Sequence, residues 1–310
     1  MQGEYELSID FCGIRMQYPW MNASGILSNL PVIERYQHLL GAGVTKSVGI
    51  TERHGNETPI VARSSQTSLI NAVGLPNAGY KHLAEELEDS DIEIPLFVSV
   101  FGNNPDEVHT IVGYLDSCPH VSGFELNYSC PNIRPGEQTG MTIGKDPKLT
   151  EEYTFAASNA TEKPLIVKHT PATYIFDPGL FREVVHAAKD GGCHAHAAIN
   201  TIPGGMVIDI HTGRPVLTAG RGGVSGPGVK PIGIGCVRAI REYSDKPIIG
   251  MGGISDAEDV AEYMMAGASA VAIGTGLEDD YMLRNLPVRM RTIVRDMGLE
   301  NAGDLTGWER

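Results

Sequence analysis

Cysteine is scarce in this 310-residue chain, and what there is does not group. Cys12, Cys118, Cys130, Cys193 and Cys236 are odd in number and far apart, with no Cys-x-x-Cys pair. That excludes a disulfide scaffold, a zinc ribbon and an iron-sulfur cluster held by this chain alone. Positive charge is also short: 24 Lys and Arg face 38 Asp and Glu, a formal net charge of -14. This is the wrong sign for a nucleic acid or an anionic membrane as partner. Long hydrophobic runs are absent. The least polar stretch, Tyr263 to Leu277, holds three glycines, a serine and a threonine and is too short to cross a bilayer. Met1-Gln2-Gly3-Glu4 has neither the basic nor the apolar region of a signal peptide, so the expectation is an acidic cytoplasmic protein with reduced thiols and no membrane segment. No repeat, low-complexity stretch or linker interrupts the chain, and its 42% hydrophobic content suffices for one core. A single domain over 1–310 is expected.

What is present is alternation. From Trp20 onward, short apolar runs of β type alternate with longer helical patterns, the signature of parallel β-α units. Strands are expected at 20–24, 43–48, 95–100, 122–127, 164–169, 194–200, 246–250 and 269–274. Helices are expected at 31–41, 78–88, 104–116, 148–160, 178–190, 229–243, 255–266 and 282–297. Asn104-Pro105-Asp106, Asp146-Pro147 and Ser255-Asp256 place a short polar side chain or a proline where a first helical turn wants one. Eight such units with right-handed crossovers predict an α/β chain folded as a TIM (β/α)8 barrel. An open doubly wound sheet is the alternative, but no Gly-x-Gly-x-x-Gly follows any apolar run. Residues 5 to 19 alternate around Cys12-Gly13, which predicts an N-terminal β-hairpin acting as a plug or lid on one barrel end. Three connections are too long for turns: Gly49 to Ala78, Cys130 to Lys148 and Thr201 to Val229. Each follows a strand, so in a barrel these long βα loops gather over the C-terminal face, where active sites sit.

One strand ends oddly. Phe124-Glu125-Leu126-Asn127-Tyr128-Ser129-Cys130-Pro131-Asn132 begins apolar and breaks into a loop carrying amides, a hydroxyl and a thiol. Asn127, Cys130 and Asn132 set paired donors and acceptors beside a potential base; the plain alternative is a turn shaped by Asn and Pro. Near the C-terminus, Gly250-Met251-Gly252-Gly253-Ile254-Ser255 and Ile273-Gly274-Thr275-Gly276 each lead into a helix. Glycine lets backbone approach a ligand and a helix N-terminus favours an anion, so these strand ends form a candidate phosphate site, unless the glycines merely turn the chain. Lys46 and Lys168 stand at strand ends, where an unpaired charge is expensive to bury; a buried ion pair is the structural alternative. Asn71, Asn127, Asn132 and Asn200 also lie at or beyond strand ends. Singly each suits a turn, but four amides converging on one face need a polar ligand to complete their hydrogen bonds.

Together these blocks resemble the class 1 dihydroorotate dehydrogenases. The likeness rests on Asn-x-Ser-Cys-Pro-Asn at 127–132, Thr45-Lys46-Ser47, Asn71-Ala72-Val73-Gly74-Leu75-Pro76-Asn77, Ile166-Val167-Lys168, Ile199-Asn200-Thr201, Gly222-Gly223-Val224-Ser225-Gly226-Pro227 and Gly250-Met251-Gly252-Gly253-Ile254, in the family's order. The resemblance implies flavin mononucleotide (FMN) as cofactor, contacted by Ala23, Ser24, Lys46, Ser47, Asn127, Lys168, Ile199, Gly226, Gly252, Gly253, Gly274 and Thr275. The lysines would stabilise negative charge on the reduced ring. It implies an orotate site of Lys46, Asn71, Val73, Gly74, Leu75, Asn127, Asn132, Asn200 and Thr201, with Lys46 near the carboxylate. Cys130 is implied as the catalytic base, removing the C5 proton of (S)-dihydroorotate while hydride leaves C6 for the flavin, in de novo pyrimidine (UMP) biosynthesis. The membrane-bound class carries Ser at this place and an N-terminal helical extension; this chain has Cys, and no such extension is expected.

Some positions depart from the family pattern. His54 stands where Glu is usual, Gly49 where Thr or Ser is common, and His169 where Leu is usual; His169, His194 and His196 are expected to pack rather than to bind. Two rival functions remain. A dihydropyrimidine dehydrogenase-like flavin domain shares the Ser-Cys-Pro loop and has features like Gly140-Met141 and Gly144-Lys145-Asp146-Pro147, but has His where this chain has Asn132. The other is a non-catalytic barrel that binds flavin or phosphate. The run from Asn200 to Pro215 is most similar to the NAD-linked 1B type, which implies a homodimer and an iron-sulfur/FAD electron-transfer subunit as partner. Fumarate and quinone are the alternative acceptors.

Overall fold

The apolar runs pair in parallel, each followed by a helix that covers it. The computed structural model describes residues 5–132, 136–278 and 280–308. Met1-Gln2-Gly3-Glu4, and residues 133–135 in the loop after Cys130, lie outside the described residues. Among the described residues the main sheet contains β1 (Trp20–Asn22), β2 (Gly43–Val44), β3 (Leu96–Val100), β4 (Val121–Asn127), β5 (Leu165–Lys168), β6 (Ala195–Ala198), β7 (Ile248–Met251) and β8 (Ala270–Ile273). Neighbours run β1, β8, β7, β6, β5, β4, β3, β2. A parallel bridge from Met21 to Ala42 joins the two end strands, closing the barrel.

The outer layer is α1 (Leu30–Tyr36), α2 (Tyr80–Glu88), α3 (Pro105–Asp116), α4 (Pro147–Ser158), α5 (Pro178–Asp190), α6 (Lys230–Tyr243), α7 (Ala257–Met265) and α8 (Asp280–Asp296). The expected starts are real caps: Asn104, Asp146 and Asp256 accept from the backbone N–H of Glu107, Leu149 and Asp259. The N-terminal hairpin pairs Ile9–Phe11 with Ile14–Met16. Cys12 (φ 55°) and Gly13 (φ 80°) turn it in the left-handed region that a two-residue hairpin turn requires. Its Phe11 and Met16 are fully buried against Met21, Val44, Phe97, Ala195 and Ala270, so the hairpin plugs the end where the strands begin.

Three features differ from expectation. The second strand is regular only at Gly43–Val44; Thr45 and Val48 still bond to the β3 backbone, while Lys46 bonds instead to Ser28. A short helix, Pro171–Phe176, precedes α5 and is capped by Thr170. The long loops after β2 and β6 fold into an antiparallel sheet in the order Ile202–Gly205, Gly222–Ser225, Leu69–Asn71, Val61–Arg63. Its glycines permit close strand approach: a Cβ on Gly222 would lie 2.4 Å from the Asn71 carbonyl oxygen, and one on Gly223 1.9 Å from Thr201 Oγ1.

Candidate active site

Strand β4 buries alternating residues on opposite faces, so Glu125 and Asn127 share the inward face near its end, with Asn127 beside Lys168 in register. Over them opens one cleft. It is lined by Ala23 and Ser24 after β1, Lys46 and Ser47 after β2, and Asn71, Val73, Gly74 and Leu75 from the long loop that follows. Asn127, Cys130 and Asn132 enter from β4, Lys168 from β5, Ile199, Asn200 and Thr201 from β6, and Gly252, Gly253, Gly274 and Thr275 from β7 and β8. Gly226 stands behind this wall, its carbonyl oxygen 2.9 Å from a Cβ built on Gly253.

The two lysines differ. Lys168 Nζ makes a buried ion pair with Glu125 at 2.7 Å, so the structural alternative raised for it holds even as it lines the cleft. The Lys46 ammonium has no hydrogen-bond or ion-pair partner among the described residues, and burial pulls its pKa below the usual lysine value while a Cys130 thiolate would pull it up. An unpaired ammonium in a cleft calls for an anion. Asn71 and Asn132 leave their Oδ1 atoms without a protein partner among the described residues; their Nδ2 groups donate to the carbonyl oxygens of Gly223 and Asn71.

Cys130 is buried beside Leu75 and Phe101. Burial pushes its thiol above the ordinary thiol value, while the Asn132 backbone N–H and the charges of Lys46, Lys168 and Arg53 pull it down. Leu75 adopts a positive φ of 56°, a strained conformation for a side-chain-bearing residue, next to Gly74 at 83°, and its side chain packs with the thiol in one buried cluster. Arg53 fastens the two loops: its Nε donates to the Gly74 carbonyl oxygen at 2.9 Å, and its guanidinium grips Glu137 at 2.8 and 3.0 Å. Sequence reasoning assigned no role to Arg53, Glu137, Glu125, Ser99 or Ser129. Glu125 had a signal, a carboxylate inside an apolar strand; the others depend on loops meeting in space.

At the opposite end, Gly252 (φ 114°) and Gly253 (φ 73°) hold left-handed backbone that a side chain would strain. A Cβ on Gly253 would sit 2.8 Å from the Lys230 nitrogen, and Gly274 faces open space apart from Ala23 Cβ at 4.0 Å. Lys230 Nζ is bound to Asp259 (2.6 Å) and Glu262 (2.7 Å), so an anion here would rest on backbone rather than on that ammonium.

Small residues under a cleft, a glycine cradle at one end and a thiol at the other fit the flavin-dependent barrel oxidoreductases as a class. Known proteins narrow this further. The dihydroorotate dehydrogenase family model matches residues 6–290, and the chain belongs to that family. It is 38% identical over 306 residues to the dihydroorotate dehydrogenase B (NAD(+)) catalytic subunit of Pyrococcus furiosus, covering 97% of this chain and 98% of that one. The protein of the same name from Anoxybacillus flavithermus is 35% identical, with 97% and 95% covered. A crystal structure of DHODH from Eimeria tenella in complex with ferulenol superposes with a TM-score of 0.81 at 20% identity, over 99% of this chain and 89% of that one; it shows the fold. Among the described residues no helix is long and apolar enough to cross a membrane.

Proposed function

We propose that the chain catalyses the FMN-dependent oxidation of (S)-dihydroorotate to orotate in de novo pyrimidine biosynthesis, with Cys130 as general base. The observation that carries this reading is that one cleft holds the Cys130 thiol, the unpaired Lys46 ammonium and the four asparagines together with the Gly252-Gly253 cradle.

FMN, when bound, supplies a hydride acceptor for the substrate's C6. Lys46 pairs with the substrate carboxylate, and the free Oδ1 atoms of Asn71 and Asn132 accept from ring N–H groups, with Asn127, Asn200 and Thr201 completing the ring's bonds. Cys130 Sγ, as thiolate, removes the C5 proton and becomes a thiol; the C5–C6 double bond forms as hydride leaves. Lys46 and Lys168 favour the thiolate electrostatically, and Leu75 and Phe101 keep water from it. When FMN is bound, Lys46, Asn127 and Lys168 would contact its ring together with Ala23, Ser24, Ser47 and Ile199, and Gly252, Gly253, Gly274 and Thr275 would hold the phosphate, with Gly226 supporting that cradle. The relatives are named as catalytic subunits, which supports a separate electron-transfer subunit. The finer assignment is a cytoplasmic homodimer that passes electrons through an iron-sulfur/FAD partner to NAD.

An anaerobic visible spectrum before and after dihydroorotate tests this. A flavin band that bleaches upholds it. Bleaching by dihydrouracil but not dihydroorotate transfers the assignment to a dihydropyrimidine dehydrogenase-like enzyme, since that substrate offers Lys46 no carboxylate. A protein that cannot be reconstituted with FMN refutes it.

A further inference from the structure

The hydrogen bonds beneath the cleft share one direction. Asn200 Nδ2 donates to Ser129 Oγ at 2.9 Å, Ser129 Oγ donates to Asn127 Oδ1 at 2.9 Å, and Asn127 Nδ2 donates to Ser47 Oγ at 3.0 Å. The single proton of Ser99 goes to Glu125 Oε1 at 2.9 Å, so in the 2.8 Å contact between the Ser47 and Ser99 hydroxyls Ser47 is the donor. Every link therefore points at the Glu125 carboxylate, which is 3% exposed and also accepts from Lys168 Nζ. A carboxylate can only accept, so it fixes the sense of each bond leading to it, and bonds in such a chain reinforce one another. An amide has unlike ends, and both ends of two of them are held: Asn127 turns Nδ2 to Ser47 and Oδ1 to the Ser129 hydroxyl and, at 3.3 Å, its backbone N–H, while Asn200 turns Nδ2 to Ser129 and keeps Oδ1 on the Thr201 backbone N–H at 2.7 Å.

We propose that Glu125 is a positioning residue for substrate recognition: acting through Ser99 and Ser47, its carboxylate, together with the backbone N–H groups of Ser129 and Thr201, sets which ends of the Asn127 and Asn200 amides the substrate ring meets. The proposal rests on the dihydroorotate assignment above. Neither Glu125 nor Ser99 lines the cleft, so both act through others. Glutamine at 125 offers a donor as well as an acceptor, and the chain loses its fixed sense. Alanine at 99 cuts the chain one link from the carboxylate and leaves the Lys168 pair in place; threonine at 99 keeps the hydroxyl.

The test measures orotate binding to the FMN-loaded protein, from the change orotate makes in the flavin spectrum, together with the limiting rate and half-saturation for flavin reduction by dihydroorotate. In Ser99→Ala the orotate Kd and the half-saturation rise by roughly tenfold, the scale of one misdirected hydrogen bond in a buried site, while the limiting rate changes less. Glu125→Gln follows Ser99→Ala, and Ser99→Thr stays near wild type. If Ser99→Ala binds orotate as wild type does, the positioning role is overturned, whether or not Glu125→Gln folds. A lower limiting rate at unchanged half-saturation overturns it too. A wild-type protein that holds flavin but neither binds orotate nor bleaches with dihydroorotate removes the substrate assignment and this role with it, whereas normal wild-type behaviour with an unaffected Ser99→Ala removes only the role.

Discussion

The two ends of the barrel are made by the same strands and could hardly differ more. Where the strands begin, Phe11, Met16, Met21, Val44 and Phe97 close the interior with side chains that need nothing from a ligand. The Phe11 and Phe97 rings meet edge to face at 6.2 Å. Where the strands end, the inward residues become Ser47, Ser99, Glu125, Asn127 and Lys168, buried but polar and tied to one another. The lesson is a division of labour along each strand: one end supplies stability, the other gives some of it up to hold groups that only a ligand completes. Substitutions at the two ends should therefore move different observables.

The largest effect is expected at the polar end. Cys130→Ala should keep FMN and a near-wild-type melting temperature but slow flavin reduction by dihydroorotate by about 10² to 10⁴-fold, the range of a lost general base. Rapid-mixing spectroscopy reads the rate. Reduction at wild-type speed would remove the role assigned to the thiol. With Cys130 as the proposed base, the active form in the unmodified protein is the thiolate, and burial holds the thiol's pKa above its ordinary value. The reduction rate should thus climb with pH through neutrality and level off only in the alkaline range, and a flat profile from about pH 6 to about 9 would contradict that base.

Next comes the apolar end. Phe11→Ala removes a fully buried ring from the plug and should cost about 3–5 kcal/mol of folding stability, read by thermal or denaturant unfolding. The reduction rate per folded, flavin-loaded molecule should hold. A variant that melts normally, or that loses rate in step with stability, would show that the two ends are not separate.

Much of this was legible in the sequence because the alternation of strand and helix patterns is strong and local. The eight β-α units, the hairpin turning at Cys12-Gly13 and the caps Asn104, Asp146 and Asp256 all follow from periodicity and cap chemistry. The cleft residues were legible as blocks at strand ends, since a barrel gathers every C-terminal strand end on one face. What escaped depends on distant segments meeting. The antiparallel sheet over the cleft joins 61–71 to 202–225, and its Pro203-Gly204-Gly205 and Gly222-Gly223 carry turn signals in a strand role. Arg53 finds Glu137 across 84 residues, and no local pattern announces such a partner. The Glu125 to Lys168 pair was anticipated only as the less interesting fate of a lysine, because spacing cannot say that one ammonium is neutralised while Lys46 is left for a ligand.

The smallest predicted effect separates the barrel wall from both ends. His169, the position that departs from the usual Leu, meets His196 through Nε2 and Nδ1 at 3.0 Å, and His196 Nε2 meets Ser244 Oγ at 3.0 Å. His169 Nδ1 is buried without a partner among the described residues. Burial pushes the His169 pKa down to about 3, and burial together with His169 holds His196 well below its ordinary value. The unfolded chain therefore binds protons that the folded protein refuses. Stability attributable to these groups is full above about pH 6.5, the unfolded value, and is lost as pH falls toward the folded values, by up to about 1.4 kcal/mol per pH unit for each histidine. His169→Leu removes one titrating group and the unpartnered nitrogen, so its melting temperature should fall less than wild type between pH 7 and 5. The pH dependence of flavin reduction, set by Cys130 in the cleft, should stay where it was. An acid decline as steep as in wild type would show that the pair is not what titrates, and a shifted rate profile would mean that the wall and the cleft are coupled after all.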